Sequence, residues 1–350
     1  MTMKPANDPA MPMAQLGRNG PIVSKYALGT MTFGSETPEA EAFRMLDEFV
    51  GRGGTFIDTA DVYSNGMSEE IIGRWNRQRG GMDDLIIATK GRFAPPAGSN
   101  GGSRRAIMRS VDASLRRLHQ EAIDVYYMHG WDQFTDVIET LSTLGDLIRC
   151  GKIHNIAWSN VTGWQLQRII STAQALGVSQ PVALQPQYNL LDRGIELEVL
   201  PCCLEAGIAL APWSPLGGGW LTGKYTANTQ PTGKTRLGED PERGVEAYGA
   251  RNTQRTFAIL DVLGTIAKRI DRPMSHVALA WLSSRPGVAS LLLGARNVGQ
   301  LEENMRAVDT KLEPDDIASL TRVSATGLPV YPYQFLADWS SMHIWNDLGT

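Results

Sequence analysis

The stretch TFIDTADVYSNGMSEEIIG, residues 55–73, opens with a short apolar run that ends on a carboxylate, Asp58, and sets a phenol, Tyr63, five residues further on. A continuous apolar run bounded by turn-forming residues reads as a strand buried on both faces. Two later runs have the same form: LIIATK (85–90) ends on Lys90 and IDVYYMH (123–129) ends on His129. In a barrel of parallel strands, the C-terminal strand ends converge on one rim. Asp58, Tyr63, Lys90 and His129 would then meet there.

Working outward, five more runs fit the same description: YALGTM (26–31), IHNIAW (153–158), VALQPQ (182–187), IALAPW (208–213) and SLLLG (290–294). Between the runs, apolar residues recur every three to four positions, as in Ile107, Val111, Leu115 and Leu118, in Val137, Leu141, Leu144 and Ile148, and in Leu166, Ile169, Ile170 and Leu176. That spacing is helical. Eight strand–helix units in order predict a (β/α)8 TIM barrel as a single domain. An open doubly wound sheet would need a Gly-x-Gly-x-x-Gly turn after its first strand, and Gly29-Thr30-Met31-Thr32-Phe33-Gly34 does not supply one. We expect a flexible tail over 1–14, the barrel over 15–325 and a C-terminal tail over 326–350 that packs on the barrel. The C-terminal tail carries Tyr331, Tyr333, Phe335, Trp339 and Trp345. Residues 214–252 form an aperiodic loop long enough to be functional. Two helices, about 253–270 and 274–284, follow it, and a short one over Asp315 to Leu320 comes after the last barrel unit.

The bulk properties narrow the function classes. The 350 residues are 42% hydrophobic with a net charge of −4, and no basic block suggests nucleic acid or an anionic membrane as partner. Cys150, Cys202 and Cys203 form neither a disulfide framework nor a zinc pattern, which fits a reducing cytoplasm. No apolar run reaches membrane-spanning length. His119, His154, His276 and His343 lie in no ligand spacing, so no metal is expected. Cys202-Cys203 reads as helix packing, and the arginines at 104, 105, 109, 116 and 117 as a solvated helix face.

The chemistry of the four rim residues is specific. A free phenol titrates near pH 10, and a neighbouring ammonium lowers that value. Lys90 would supply the ammonium, Asp58 would hold it, and His129 would donate a second hydrogen bond to the same substrate oxygen. Each residue alone has an ordinary structural explanation, but all four at three consecutive strand ends do not. FIDTADVYSNGMSEEIIG, IIATKG, DVYYMHGWD and IRCGKIHNIAWSN together resemble the successive motifs of the aldo-keto reductases, in its long-chain bacterial-type or channel β-subunit-like branch. The resemblance runs from about Leu16 to Leu320 with no member of the catalytic tetrad missing.

That resemblance implies NADPH/NADP+ lying across the rim and a small-molecule carbonyl or alcohol as substrate. Ser159, Asn160 and Gln185 would bind the nicotinamide carboxamide, and Trp213 would stack on the ring. Gly29, Thr30, Met31 and Asp58 would line the same end. Ser214, Pro215, Leu216, Gly217 and Lys224 would approach the pyrophosphate, with Gly218 and Gly219 beside them. GGWLTGKY (218–225) is close to a P-loop, but Tyr225 stands where Ser or Thr must bind magnesium. Gly294, Arg296, Gln300, Glu303 and Asn304 would hold the adenosine end, with Arg296 on the 2′-phosphate and Glu303 on the adenine amino group. Gly294-Ala295 stand where many relatives have Lys-Ser, one cation fewer. Trp131, the residues after Met31 and the aromatic tail are the expected substrate walls. Two other functions share the fold: a cofactor-binding regulatory subunit, and a Schiff-base lyase with Lys90 as nucleophile.

Overall fold

A computed structural model describes residues 11–80, 84–94, 98–227 and 229–340. The first ten residues of the expected N-terminal tail, and His343 and Trp345 at the other end, lie outside these. Two short strands, β1 (Met13–Gln15) and β2 (Ile22–Ser24), pair antiparallel. The hairpin thus begins inside the segment read as a tail. Eight parallel strands follow: β3 (Tyr26–Gly29), β4 (Phe56–Asp58), β5 (Ile86–Gly91), β6 (Ile123–Met128), β7 (Ile153–Ser159), β8 (Ala183–Gln185), β9 (Ala209–Leu210) and β10 (Leu291–Gly294). Their order in the sheet is β10-β3-β4-β5-β6-β7-β8-β9. The sheet curls until its edges meet. Leu210 N donates to Gly287 O (2.7 Å) and Leu292 N to Pro212 O (3.1 Å). This arrangement is consistent with a (β/α)8 barrel.

Strand parity explains what fills the barrel and what crowns it. Successive side chains point to opposite faces, so i and i+2 share one. Ala27, Phe56, Ala88, Val125, Tyr127, Ala157, Ala183 and Ala209 form the inner cluster. Leu28, Ile57, Ile87, Tyr126, Ile156, Leu184 and Leu210 pack outward against the helices. Two residues beyond an inner one, the same parity brings Phe56 to Asp58, Ala88 to Lys90, Tyr127 to His129, Ala157 to Ser159 and Ala183 to Gln185. The small alanines leave room in the interior, which Lys90 shares with Phe56 and Tyr127, its ammonium 5.8 Å from the Tyr127 ring.

The hairpin closes the far end of the barrel. Ser24 N donates to Thr55 Oγ1 (3.0 Å) just before β4, Arg18 N to Gly207 O (2.8 Å) before β9, and Lys25 Nζ to Val288 O (2.9 Å) before β10. All three contacts lie at the starts of strands. Leu16 and Val23 are fully buried in the inner cluster.

The loop 214–252 is less featureless than its sequence suggested. It contains short turns at Gly217–Thr222, Arg236–Glu239, Gly244–Glu246 and Tyr248–Arg251. Trp220 anchors it, fully buried, stacked on Tyr248 at 5.6 Å and donating to Glu246 O (3.0 Å). Helices Gln254–Arg269 and Met274–Ser283 follow. Pro314–Val323 is the late helix, one residue longer at its start and three at its end than the apolar pattern marked. In the C-terminal tail, Tyr333 donates to Glu198 (2.6 Å), while Phe335 stacks on Trp339 at 5.6 Å. Among the described residues, no helix is long and apolar enough to cross a membrane. Because Leu16 is fully buried at the closed end, Leu16→Ala should lower unfolding stability by about 2–5 kcal/mol in a denaturant titration. Turnover per folded molecule should not change.

Candidate active site

Asp58 and Lys90 form a buried ion pair, with 1% and 0% of their side chains exposed. Lys90 Nζ donates to Asp58 Oδ2 (2.5 Å) and to Thr59 O (2.8 Å). Gln185 Nε2 donates to Asp58 Oδ1 (2.8 Å). Removing one member of such a pair costs about 3–5 kcal/mol, because the other charge is left uncompensated. Burial works against the Lys90 charge, but Asp58 and then Tyr63 outweigh it and hold the ammonium above its ordinary value. Burial also pushes the Asp58 carboxyl up, with Lys90 and Gln185 opposing. These two tendencies compete. The pair is ionic on geometric grounds, because both Asp58 oxygens accept hydrogen bonds and a protonated carboxyl would forfeit one.

Tyr63 starts the turn Tyr63–Gly66, in which Ser64 and Asn65 both adopt positive φ (49° and 55°). Ser64 Oγ donates to Phe33 O (2.7 Å), pinning that turn to the loop after β3. The Lys90 ammonium lies 5.2 Å from the Tyr63 ring centroid. Lys90 does draw the phenol down, as the sequence suggests. Burial is the larger effect, however, and the phenol stands above its ordinary value. Lowering toward neutrality is therefore not the net outcome. His129 is 8% exposed and its Nδ1 has no hydrogen-bond partner. Its ring lies 5.9 Å from Tyr63, edge-on, and 4.5 Å from Phe93. Burial, then Lys90 and Arg92, push the imidazole down to about 3, so it is neutral across the physiological range.

The residues expected at the nicotinamide are brought together, but largely by bonds to one another. Asn160, at φ 54°, donates from Nδ2 to His129 O (3.1 Å) and accepts at Oδ1 from Trp213 Nε1 (3.1 Å). Ser159 Oγ donates to Gln185 O (2.6 Å). Gln185 spends its amide N–H on Asp58, so its first task is to orient that carboxylate. Thr30 is buried and its hydroxyl donates to Asp58 O (2.9 Å), while Gly29 pairs with Asp58 across β3–β4. Met31 is exposed beside them.

Further round the rim, Gly217, Gly218 and Gly219 adopt φ of 56°, 64° and 94°. Consecutive left-handed glycines expose backbone N–H groups to one side, a setting that suits an anion. Here, however, the three N–H groups are used within the turn: Gly217 N donates to Ser214 O (3.0 Å), Gly218 N to Ser214 Oγ (3.2 Å) and Gly219 N to Leu216 O (3.0 Å). Glu246, 2% exposed, accepts from Ser214 Oγ, and a Cβ on Gly218 would lie 2.4 Å from its Oε2. Pro215 is buried and Leu216 half-buried beside them, while Lys224 is exposed with its ammonium 5.2 Å from the Tyr225 ring. Arg296, expected free for a phosphate, is held by Glu36 (2.5 Å) and Glu239 (2.8 Å). Arg243 joins Glu36 at 2.6 Å. Gln300 accepts from Arg296 N (3.0 Å). Glu303 lies 3.3 Å from His276, and Asn304 is on the same helix, Val298–Met305. Sequence reasoning missed Glu36, Glu239 and Glu246. Nothing in the sequence signalled that Glu246 would pack against the triple glycine and take the Ser214 hydroxyl.

Two expectations outside the site divide. Arg104, Arg105, Arg109 and Arg116 are exposed, but Arg117 turns inward to Glu69 (2.6 Å). Cys203 is fully buried in helix Val199–Ala206, with Cys202 half-buried. Among the described residues, no group of three or more His, Cys, Asp or Glu could hold a metal ion.

The aldo/keto reductase family model matches residues 25–325. The chain belongs to this family. An uncharacterized oxidoreductase, YrpG, of Bacillus subtilis (strain 168) is 32% identical over 89% of this chain and 96% of its own. The NADP(+) aryl-alcohol dehydrogenase of Phanerodontia chrysosporium is 28% identical over 95% and 92%. A probable voltage-gated potassium channel subunit beta of Arabidopsis thaliana is 34% identical over 85% and 92%. Aldo/keto reductases are oxidoreductases that typically bind a nicotinamide cofactor, and the relatives include reductases and dehydrogenases of small molecules as well as β-type channel subunits.

The neutral, buried His129 has a consequence for stability. Its folded value is depressed below the ordinary 6.5 to about 3, so between those pH values the unfolded chain binds a proton that the folded chain does not. Stability is therefore lost as pH falls from about 6.5 toward 3. His129→Gln should flatten this part of the acid branch in unfolding titrations run at a series of pH values.

Proposed function

We propose that this protein is an NADP(H)-dependent oxidoreductase. It moves hydride between the nicotinamide and an aldehyde or ketone, or the corresponding alcohol, with Tyr63 as general acid and base. The observation that carries this reading is the buried Asp58–Lys90 pair with the Tyr63 phenol beside its ammonium. When bound, NADPH supplies the hydride. In reduction, Tyr63 gives its proton to the substrate oxygen; in oxidation it takes one back. A phenol held above its ordinary value keeps its proton at neutral pH and is ready to donate. Lys90 favours the phenolate left behind. His129, neutral, keeps one N–H to donate to the same oxygen.

Several features fit the cofactor. Gly294 has open space where a Cβ would be. Ser214 and Lys224, with the turn at 217–219 beside them, would hold the pyrophosphate. Arg296 would hold the 2′-phosphate, with Gln300, Glu303 and Asn304 near the adenosine. Ser159, Asn160 and Trp213 would frame the nicotinamide. Phe93 is 46% exposed against His129, and Trp131 meets Trp164 at 5.5 Å. Such walls favour a planar aromatic carbonyl, in keeping with an aryl-alcohol dehydrogenase among the relatives. The three free thiols accord with a cytoplasmic location. A second reading, a cofactor-binding regulatory subunit with little turnover, draws on the channel-subunit relatives. A panel of aldehydes and alcohols assayed with NADPH and NADP+ separates the two.

Tyr63→Phe should cut turnover by about 10²–10⁴-fold while cofactor affinity, followed by fluorescence titration, stays near that of the unchanged protein. Near-normal kcat would overturn the acid–base role. Arg296→Ala should weaken NADPH by about ten- to a hundredfold, the size of a hydrogen bond to a charged group, and leave NADH almost untouched. Because Glu239 competes for the same guanidinium, Glu239→Gln should tighten NADPH selectively. Equal effects on both cofactors would make Arg296 structural.

A further inference from the structure

The loop that carries Tyr63 holds a second carboxylate, Asp61, with no part in the reaction above. Its backbone N–H donates to Lys90 O (3.0 Å), mooring the loop to the strand of the lysine. Its Oδ2 accepts from Ser110 Oγ (2.9 Å), on helix Arg104–Leu118. Ser110 Oγ accepts in turn from the hydroxyl of Tyr126 (3.1 Å), a fully buried residue of β6. Asp61 Oδ1 is buried and has no hydrogen-bond partner. The cluster is built into the fold: a Cβ at Gly91 would lie 2.0 Å from the Tyr126 hydroxyl oxygen and 2.4 Å from Ser110 Oγ. Only glycine there admits both hydroxyls. A carboxylate left half-satisfied in such a place costs stability, and packing alone does not require it.

The groups facing Asp61 come from every element around it. Helix Met67–Arg79 brings Glu69, and helix Arg104–Leu118 brings Arg117 along with Ser110. Thr89 on β5 donates to Glu69 (2.5 Å), and Arg117 Nε donates to it as well (2.6 Å). Tyr126 contributes from β6, and its phenol is pushed up chiefly by burial and then by the Asp61 charge. On its own loop Asp61 acts on Tyr63, whose remaining charged neighbours are Lys90 and Asp58.

We propose that Asp61 is a positioning residue for Tyr63: tied to Ser110 and Tyr126, it fixes the turn that presents the phenol and sets a negative charge against phenolate formation. The proposal rests on Tyr63 as the acid and base. Burial, with Glu69 adding to it and Ser110 and Arg117 opposing, brings the Asp61 carboxyl up to about 6. Above that pH it is ionised and makes the phenol hold its proton more firmly. Lys90 acts in the opposite sense. The two together set how readily Tyr63 serves as an acid in reduction and as a base in oxidation.

Asp61→Asn keeps an oxygen for Ser110 to donate to but removes the charge. The pH at which alcohol oxidation with NADP+ rises should then fall by at least about 0.5 unit, the effect of one charge at moderate distance in protein. A second readout needs no turnover. The NMR titration of ring-labelled tyrosine, with Tyr63→Phe identifying the resonance, should show Tyr63 ionising at lower pH in Asp61→Asn. Superimposable profiles and superimposable Tyr63 titrations would overturn the proposal. So would a loss of melting temperature and of kcat that is uniform across pH, since that marks a purely structural residue. If Tyr63→Phe retains activity, the acid–base reading fails instead, and the NMR titration alone decides whether Asp61 sets the charge that Tyr63 faces.

Discussion

A lysine and an aspartate sealed from water, 2.5 Å apart, constrain everything else at the rim. An ammonium in such a place is tolerable only if its hydrogens and its counter-charge are supplied by fixed groups. Thr59 O and Asp58 Oδ2 do this for Lys90, and Gln185 and Thr30 secure Asp58 in turn. These residues come from β3, β4, β5 and β8, or from the loops that follow them. Asp58 and Lys90 meet across adjacent strands, but the Gln185 bond reaches Asp58 from β8 and is made only once the sheet has curled. Small alanines in the interior are the other half of the arrangement, since bulkier side chains at Ala88 or Ala157 would occupy the space into which Lys90 extends.

The strands and the four rim residues were legible because the signal is local. A continuous apolar run ending on a polar residue fixes both the strand and, through parity, the side on which that residue emerges. Each of the eight runs became a strand; most are trimmed where hydrogen bonding stops, as in β9, which keeps only Ala209–Leu210, while β5 and β7 run one residue further, to Gly91 and Ser159. The pairing of Gln185 with Asp58 spans 127 residues, and no periodicity encodes such a contact. The depth of Tyr63 was equally hidden. Burial outweighs Lys90 there, a balance set by neighbours from distant strands. Arg117 shows the same limit: four of the five arginines on its helix stay in solvent, while this one finds Glu69 through the clearance left by Gly66.

The long loop after β9 holds itself with charges of both signs. Glu36, Glu239 and Glu246 engage Arg236, Arg243 and Arg296, so these three cations are already neutralised. An incoming polyanion exchanges one set of carboxylate contacts for another. The net gain is a difference between two similar interactions, smaller than the count of arginines suggests. Salt weakens both sets together, which makes affinity less sensitive to ionic strength than a row of unpaired cations would be.

The N-terminal hairpin has a consequence for how the chain is made. Its partners are the backbone at Gly207 and Val288, and β3 pairs with β10 through Tyr26 and Leu291. The hairpin meets Thr55 early, but its contact at Val288 lies 263 residues further along the sequence. Contacts of such sequence separation form slowly. Until Leu291–Gly294 has emerged, β3 keeps an unpaired edge, and a nascent chain in that state presents the kind of surface that chaperones bind.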